Sequence, residues 1–214
     1  MTTKTKEINL ENTLKELNKA FDLINGYYFQ GQLEPVIITV NTSSKANVLG
    51  WFTPSKVWEA GEKEYHEINL VAENLRRGKM QVLQTLFHEC LHLYNHQNNI
   101  KDTSRGNAYH NKRFLATALD FGFEYLHEAP DAKIGYSMVT LTKTTFDTID
   151  SWDLDDKAFD LSRKTFGKGK EKKKTTWKWT CECLPKPQTV RTTKPELRAI
   201  CPDCESFFTC ADDE

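Results

Sequence analysis

The apolar positions change period several times along the chain, and each change marks an element. Leu10, Leu14, Leu17, Phe21 and Ile24 step by three and four, which predicts an amphipathic helix over residues 8–25 ending near Gly26. Past Pro35, the β-branched run from Val36 to Val40 predicts a strand. Residues 41–47 are turn-like, and Val48 to Phe52 predicts a second strand. Glu64 to Val71 alternates, with Ile68 and Leu70 on one face, as a third strand would. Met80, Leu83, Leu86, Phe87, Cys90, Leu91 and Tyr94 return to the helical period with a buried stripe. After a polar loop from Asn98 to Asn107, Phe114, Leu115, Ala118, Leu119 and Phe121 predict another helix, closed by Gly122. Residues 136–141 predict one more short strand, and residues 147–160 an acidic helix or arm carrying Trp152, Leu154 and Phe159 onto the main domain. The pattern is that of an α+β fold, a small sheet of about three strands packed with helices.

The second helical stripe also carries chemistry. His88-Glu89-Cys90-Leu91-His92 places two imidazoles four residues apart, so on a helix they share one face and can close on a single Zn²⁺. Glu89 then falls beside the metal, where a carboxylate can take a proton from an activated water and pass it to a leaving amine. A hydrolytic zinc takes three protein ligands, and the other histidines are His66, His96, His110 and His127. His96 continues the spacing but lies about 6 Å farther along the helix axis and points past the metal. His110 is the better candidate, because it follows the polar loop and opens the next helix, so that two helices can face each other across the metal. His66 reads as an exposed or hydrogen-bonded residue, Met138 as core or surface, and Cys90 as a small buried hydrophobe. Tyr109 and Arg113 are near enough in sequence to be candidates for stabilising a tetrahedral oxyanion. The strands before the zinc helix either offer an edge to an extended peptide or only pack on the helices, and the pattern leaves both open.

At 214 residues the chain can hold one ordinary domain and a small appendage. With 38% hydrophobic and 28% charged residues and no apolar run of membrane-spanning length, it reads as a soluble protein. The first residues show no apolar signal segment, so a cytoplasmic location is expected. The net charge of −1 gives no overall attraction to nucleic acid. Of six cysteines, Cys181-x-Cys183 and Cys201-x-x-Cys204 form two pairs, which in a reducing compartment read as a metal site in preference to disulfides. Four thiolates would close a structural zinc site, and the metal would supply folding free energy that so short a segment lacks. The one-residue spacing of Cys181-x-Cys183 is shorter than the usual knuckle, and Cys210 is an alternative ligand. The expected organisation is a domain over 8–162, a basic linker over 163–176 and a zinc ribbon over 177–210. Eight basic residues lie between Arg163 and Lys178, followed by Trp177 and Trp179. They suit phosphate contacts and base stacking, with single strands favoured; the alternative is a solvated linker leading into a ribbon whose tryptophans fill its own core.

His88-Glu89-Cys90-Leu91-His92, followed by Gly106-Asn107-Ala108-Tyr109-His110 and Phe114, resembles the SprT-like (Spartan-type) zinc metalloprotease domain, whose pattern is His-Glu-x-x-His, a loop, then Gly-x-x-x-His-x-x-x-Phe. Leu49-Gly50-Trp51-Phe52 and His66-Glu67-Ile68-Asn69-Leu70 look like the strands that precede the motif helix in that family. The resemblance runs over roughly residues 10–125 and again over the cysteine-bearing tail. It implies zinc held by His88, His92 and His110, Glu89 as catalytic base, endopeptidase activity, and protein substrates found on DNA to which the tail recruits the enzyme. The alternative function is a nucleic-acid-binding or scaffolding protein whose metal centre is structural or vestigial.

Overall fold

The computed structural model describes residues 9–43, 45, 47–164 and 176–210. The chain divides into two compact units, residues 1–164 and 165–214. In the first, helix α1 (Leu10–Phe29) is capped by Asn9, whose side chain accepts the Asn12 N–H at 2.8 Å. It runs straight through Gly26 and turns only where Gln30 and Gly31 take φ of 56° and 74°. The extra turn is held by Phe29, which is buried and stacks on Phe121 with ring centroids 4.4 Å apart. An anchor of that size outweighs the roughly 1 kcal/mol that a glycine inside a helix costs.

Strands β1 (Val36–Asn41), β2 (Gly50–Ala60) and β3 (Lys63–Val71) form one sheet in the order β1-β3-β2. β3 is central, parallel to β1 and antiparallel to β2, and its second half, Ile68 to Val71, is buried. β2 is longer than its apolar pattern predicts. Beyond Thr53 its ladder is interrupted, and it resumes at Trp58 as the exposed half of a hairpin turning at Gly61, where φ is 65°. Exposed on both faces, that half carries no alternation to read. At Gly50 a Cβ would stand 2.8 Å from the Asn69 carbonyl oxygen and 3.1 Å from Thr85 Cγ2, so glycine lets β2 close on the helix beneath.

A 3-10 turn (Ala72–Arg77) leads into α2 (Lys79–Gln97), the helix on which this unit is built. Leu83, Leu86, Phe87, Cys90, Leu91 and Leu93 are fully buried along it, and α1, the sheet and α3 (Lys112–Asp120) all pack against it. Between α2 and α3 lie the short paired strands β4 (Thr103–Ser104) and β5 (Tyr109–His110). Beyond α3, β6 (Phe123–Glu124) pairs with β7 (Thr140–Leu141). Helix α4 (Lys143–Asp150) starts earlier than the run of aspartates indicates, because Thr142 caps it by accepting the Thr145 N–H. The aspartates fall on its second half and in the arm after it, whose Trp152, Leu154 and Phe159 are buried in the core. That arm is tied to α1 by the Thr13 hydroxyl, which donates to the Ala158 carbonyl at 2.6 Å. No helix among the described residues is long and apolar enough to cross a membrane.

The second unit is a three-stranded antiparallel sheet, β8 (Trp177–Thr180), β9 (Thr189–Thr192) and β10 (Thr209–Cys210), in the order β10-β8-β9. Trp179, Cys181, Cys201 and Phe208 make its small core.

Candidate metal centres

His88 and His92 stand one turn apart on α2, and β5 brings His110 to face them. The Nε2 atoms converge, with His110 3.1 Å from His88 and 3.0 Å from His92, and the ligand atoms of all three lie within 4.8 Å of one another. Tetrahedral ligands about 2.0–2.1 Å from zinc would be about 3.3 Å apart. The set fits a cation for a second reason. His92 Nδ1 is 2.6 Å from Asp102 Oδ2; with the Nδ1 proton on that bond, His92 Nε2 carries a lone pair, and a single proton on His110 Nε2 cannot satisfy both neighbours. A metal ion satisfies all three at once.

For His88 and His110 the electrostatics favour the neutral imidazole that ligation needs, and for His92 they favour the charged form. Burial, and after it the neighbouring rings, hold His88 well below the ordinary histidine range. Burial and His92 bring His110 down to about 3. Burial pulls His92 down too, but its bond to Asp102 and the charges of Glu89 and Asp102 carry it above the ordinary value. Glu89 is buried, and desolvation lifts its carboxyl to about 7 despite His92 and the Phe52 backbone N–H, which favour the charged form.

Asp102 is the residue that the sequence reading missed. Its Oδ2 also accepts from Asn95 Nδ2 at 3.0 Å, and the Thr117 hydroxyl donates to Asn95 Oδ1 at 2.7 Å, so a chain of bonds running from α3 to α2 fixes the His92 ring. A signal was present: Asp102 is the one acid in the loop from Asn98 to Asn107, and a metal-ligating imidazole needs an acceptor for its other nitrogen. Phe114, fully buried, is a floor under all three rings, with centroids 4.7 Å from His88, 4.9 Å from His92 and 4.5 Å from His110. His110 is pinned from outside by the turn at 131–135. Its N–H donates to the Ile134 carbonyl at 3.1 Å, and its carbonyl accepts the Tyr136 N–H at 3.0 Å. Between them Gly135 has φ of 65°, and a Cβ there would fall 2.1 Å from the His110 carbonyl oxygen.

The remaining candidates lie apart from this cluster. His96 and His66 meet each other edge to face, both against Phe52, and the buried His66 has its Nδ1 3.3 Å from the Thr53 carbonyl oxygen. His127 packs on Tyr125, and Met138 is exposed. Neither oxyanion candidate lines the cleft. The Tyr109 ring carries the Arg105 guanidinium 4.4 Å from its centre, and Arg113, at the start of α3, is exposed.

The three histidines and Glu89 sit in an open cleft of about 1580 Å³, bordered by Leu49, Gly50, Trp51 and Phe52 of the β2 side, by α2, and by Ile134, Ser137 and Val139. That volume exceeds a usual small-molecule pocket and suits several residues of extended chain. β2 pairs with β3 alone, so among the described residues no strand covers its other edge.

In the second unit, Cys181, Cys183, Cys201 and Cys204 bring their sulfurs within 4.8 Å of one another, with Cys183 Sγ 3.7 Å from Cys201 Sγ. That is the separation of two ligands on one tetrahedral zinc, about 3.8 Å for bonds of about 2.3 Å, and not of a disulfide. The Ser206 backbone N–H brings Cys204 down to about 6, toward the thiolate that ligation needs. Cys210 is not in the cluster; it lies on β10 opposite Trp179. Trp179 is buried and donates from Nε1 to the Thr192 hydroxyl at 2.9 Å, so its ring fills the ribbon core. Trp177 is partly buried against the same core. Lys168, Lys170, Lys172, Lys173 and Lys174 of the basic run lie outside the described residues.

Fold and site together define an α+β domain whose central helix presents a His-Glu-x-x-His pair that, with His110 from β5, could hold a metal ion. A family model described as the SprT-like family matches residues 17–133, more than half of the chain, and the chain belongs to that family. No curated protein and no solved structure matches it.

Proposed function

We propose that the protein is a zinc-dependent endopeptidase. The observation that carries this reading is the meeting of three imidazole Nε2 atoms beside a buried Glu89, inside a cleft bordered by a strand edge that no strand among the described residues covers. A zinc ion held by His88, His92 and His110 would supply Lewis acidity and lower the pKa of a water, leaving a coordination position open. Glu89 takes a proton from the attacking water and returns it to the leaving amine. Asp102 holds the His92 tautomer, and Phe114 keeps water from beneath the three rings. The outer edge of β2 offers backbone groups to an extended chain, which recognises peptide without demanding particular side chains.

The test is digestion of casein by the full chain with zinc, with chelator, and with Glu89→Gln loaded with the same zinc. Cleavage lost in the last two arms supports the reading, and cleavage by zinc-loaded Glu89→Gln at the wild-type rate refutes it. Recruitment to DNA-associated proteins through the tail is carried by the basic run in the sequence. It predicts salt-dependent binding of single-stranded DNA that weakens when Lys172, Lys173 and Lys174 are neutralised together.

A further inference from the structure

The cleft wall upstream of His88 holds a cation that this chemistry does not use. Arg77 ends the 3-10 turn and lines the cleft. Its Nε donates to the Asn74 carbonyl at 3.0 Å and its Nη2 to the Thr85 hydroxyl at 2.9 Å, which fixes the guanidinium plane. Thr85 precedes His88 by three residues and Glu89 by four, so Arg77 reaches the metal-bearing face of α2 about one turn, or ~5 Å, upstream.

Among the described residues no carboxylate pairs with Arg77, and Glu73, four residues before it, takes Arg163 through Oε1 at 3.2 Å. Both bonds that Arg77 makes go to neutral oxygens, and they use two of its five N–H donors, leaving three for a ligand. Burial draws its guanidinium below the usual arginine range, as befits a cation without a counter-charge. The acids lining the cleft are Glu89 and Asp102, the second held by His92, while Lys45 and Lys101 add positive charge to the wall.

We propose that Arg77 forms a carboxylate-recognising subsite, so that the preferred peptides carry an aspartate or glutamate side chain one or two residues from the scissile bond. The distance follows from one helical turn measured against roughly 3.3 Å per residue of extended chain. A guanidinium with free donors grips a carboxylate by two parallel hydrogen bonds and an amide isostere by fewer and weaker ones. The proposal rests on the peptidase reading of the cleft, and it concerns binding, which can be measured without turnover.

The experiment uses the zinc-loaded, full-length Glu89→Gln protein and fluorescence anisotropy. The probes are N-acetylated, C-amidated peptides in which a single glutamate is walked along a neutral sequence, each paired with its glutamine isostere. One further probe is the all-glutamine peptide with a free C-terminal carboxylate. At one position glutamate should bind about tenfold or more tighter than glutamine. Added Arg77→Met should abolish the difference while zinc content and thermal midpoint persist, and Arg77→Lys should keep part of it. If Arg77→Met does not fold, Arg77→Lys carries the comparison: a preference reduced severalfold supports the fork, and an unchanged one overturns it. Equal binding of every glutamate and glutamine pair, binding of neither, or a preference confined to the free C-terminus overturns the subsite. Casein digestion by the wild-type chain judges the peptidase reading separately, since peptide preference without cleavage leaves the subsite standing and removes the protease.

Discussion

Removing the ionisable group of Glu89 should stabilise the metal-free protein, and by an amount that depends on pH. Burial raises the carboxyl from its ordinary 4.5 to about 7, so the folded state binds the proton more tightly than the unfolded chain does. For a raised folded pKa the stabilising contribution is complete below about 4.5 and is lost as pH climbs through about 7. The rise corresponds to about 3 kcal/mol that the apoprotein surrenders over that window. Glutamine fills the same volume and carries no charge, so Glu89→Gln should match wild type near pH 4.5 and exceed it by up to about 3 kcal/mol at pH 8. Urea unfolding in chelator, followed by helical circular dichroism, isolates the effect, because every helix among the described residues lies in residues 1–164. Saturating zinc should shrink the advantage, since a cation beside the carboxylate offsets the cost of its charge. A difference between the two proteins that stays constant from pH 4.5 to pH 8 would show that Glu89 ionises as it would in water, and the account of its environment would fail.

Three further outcomes test the supports of the two centres. Asp102→Asn should weaken zinc binding at the three-histidine site about 10- to 100-fold in competition with a chelating dye, while the ribbon keeps its metal; unchanged affinity would reduce Asp102 to a surface contact. Gly135→Ala should lower the zinc stoichiometry by loosening His110, since the new Cβ would fall 2.1 Å from the His110 carbonyl oxygen, and a fully loaded, equally stable variant would contradict that placement. Cys201→Ser should take metal analysis from two zincs per chain to one and unfold the ribbon without changing the helical signal; loss of both zincs would tie together sites held here to be independent.

How much of this could be read from the residues depended on how local each signal was. The helix carrying His88, Glu89 and His92 was legible because its apolar stripe and its ligand spacing share one period, and both are properties of a single element. His110 was legible as a candidate through the loop before it and the Gly-x-x-x-His-x-x-x-Phe resemblance, although it sits on a two-residue strand just ahead of α3, which begins only after the Asn111 cap. The supports of His110 were not legible. Gly135 acts through a backbone approach twenty-five residues away in sequence, and its positive φ exists only because the turn at 131–135 folds back on β5. The edge of β2 that no strand covers among the described residues belongs to the same class, since a strand's neighbours are set by the sheet order and not by its own side chains.

The matched family segment ends at residue 133, one residue before the Ile134 carbonyl that accepts the His110 N–H. The three candidate ligands and Glu89 therefore lie inside the segment shared with the family, while the clamp that aims His110 lies just past it. A metal site holds its geometry only as well as its least constrained ligand, and His110 is the one candidate ligand not carried on α2. Its aim depends on the two backbone bonds from Ile134 and Tyr136 and on the close approach that only glycine permits between them. Substitutions in the turn at 131–135 should therefore alter metal affinity more than they alter the stability of the helical core, whose packing they do not touch.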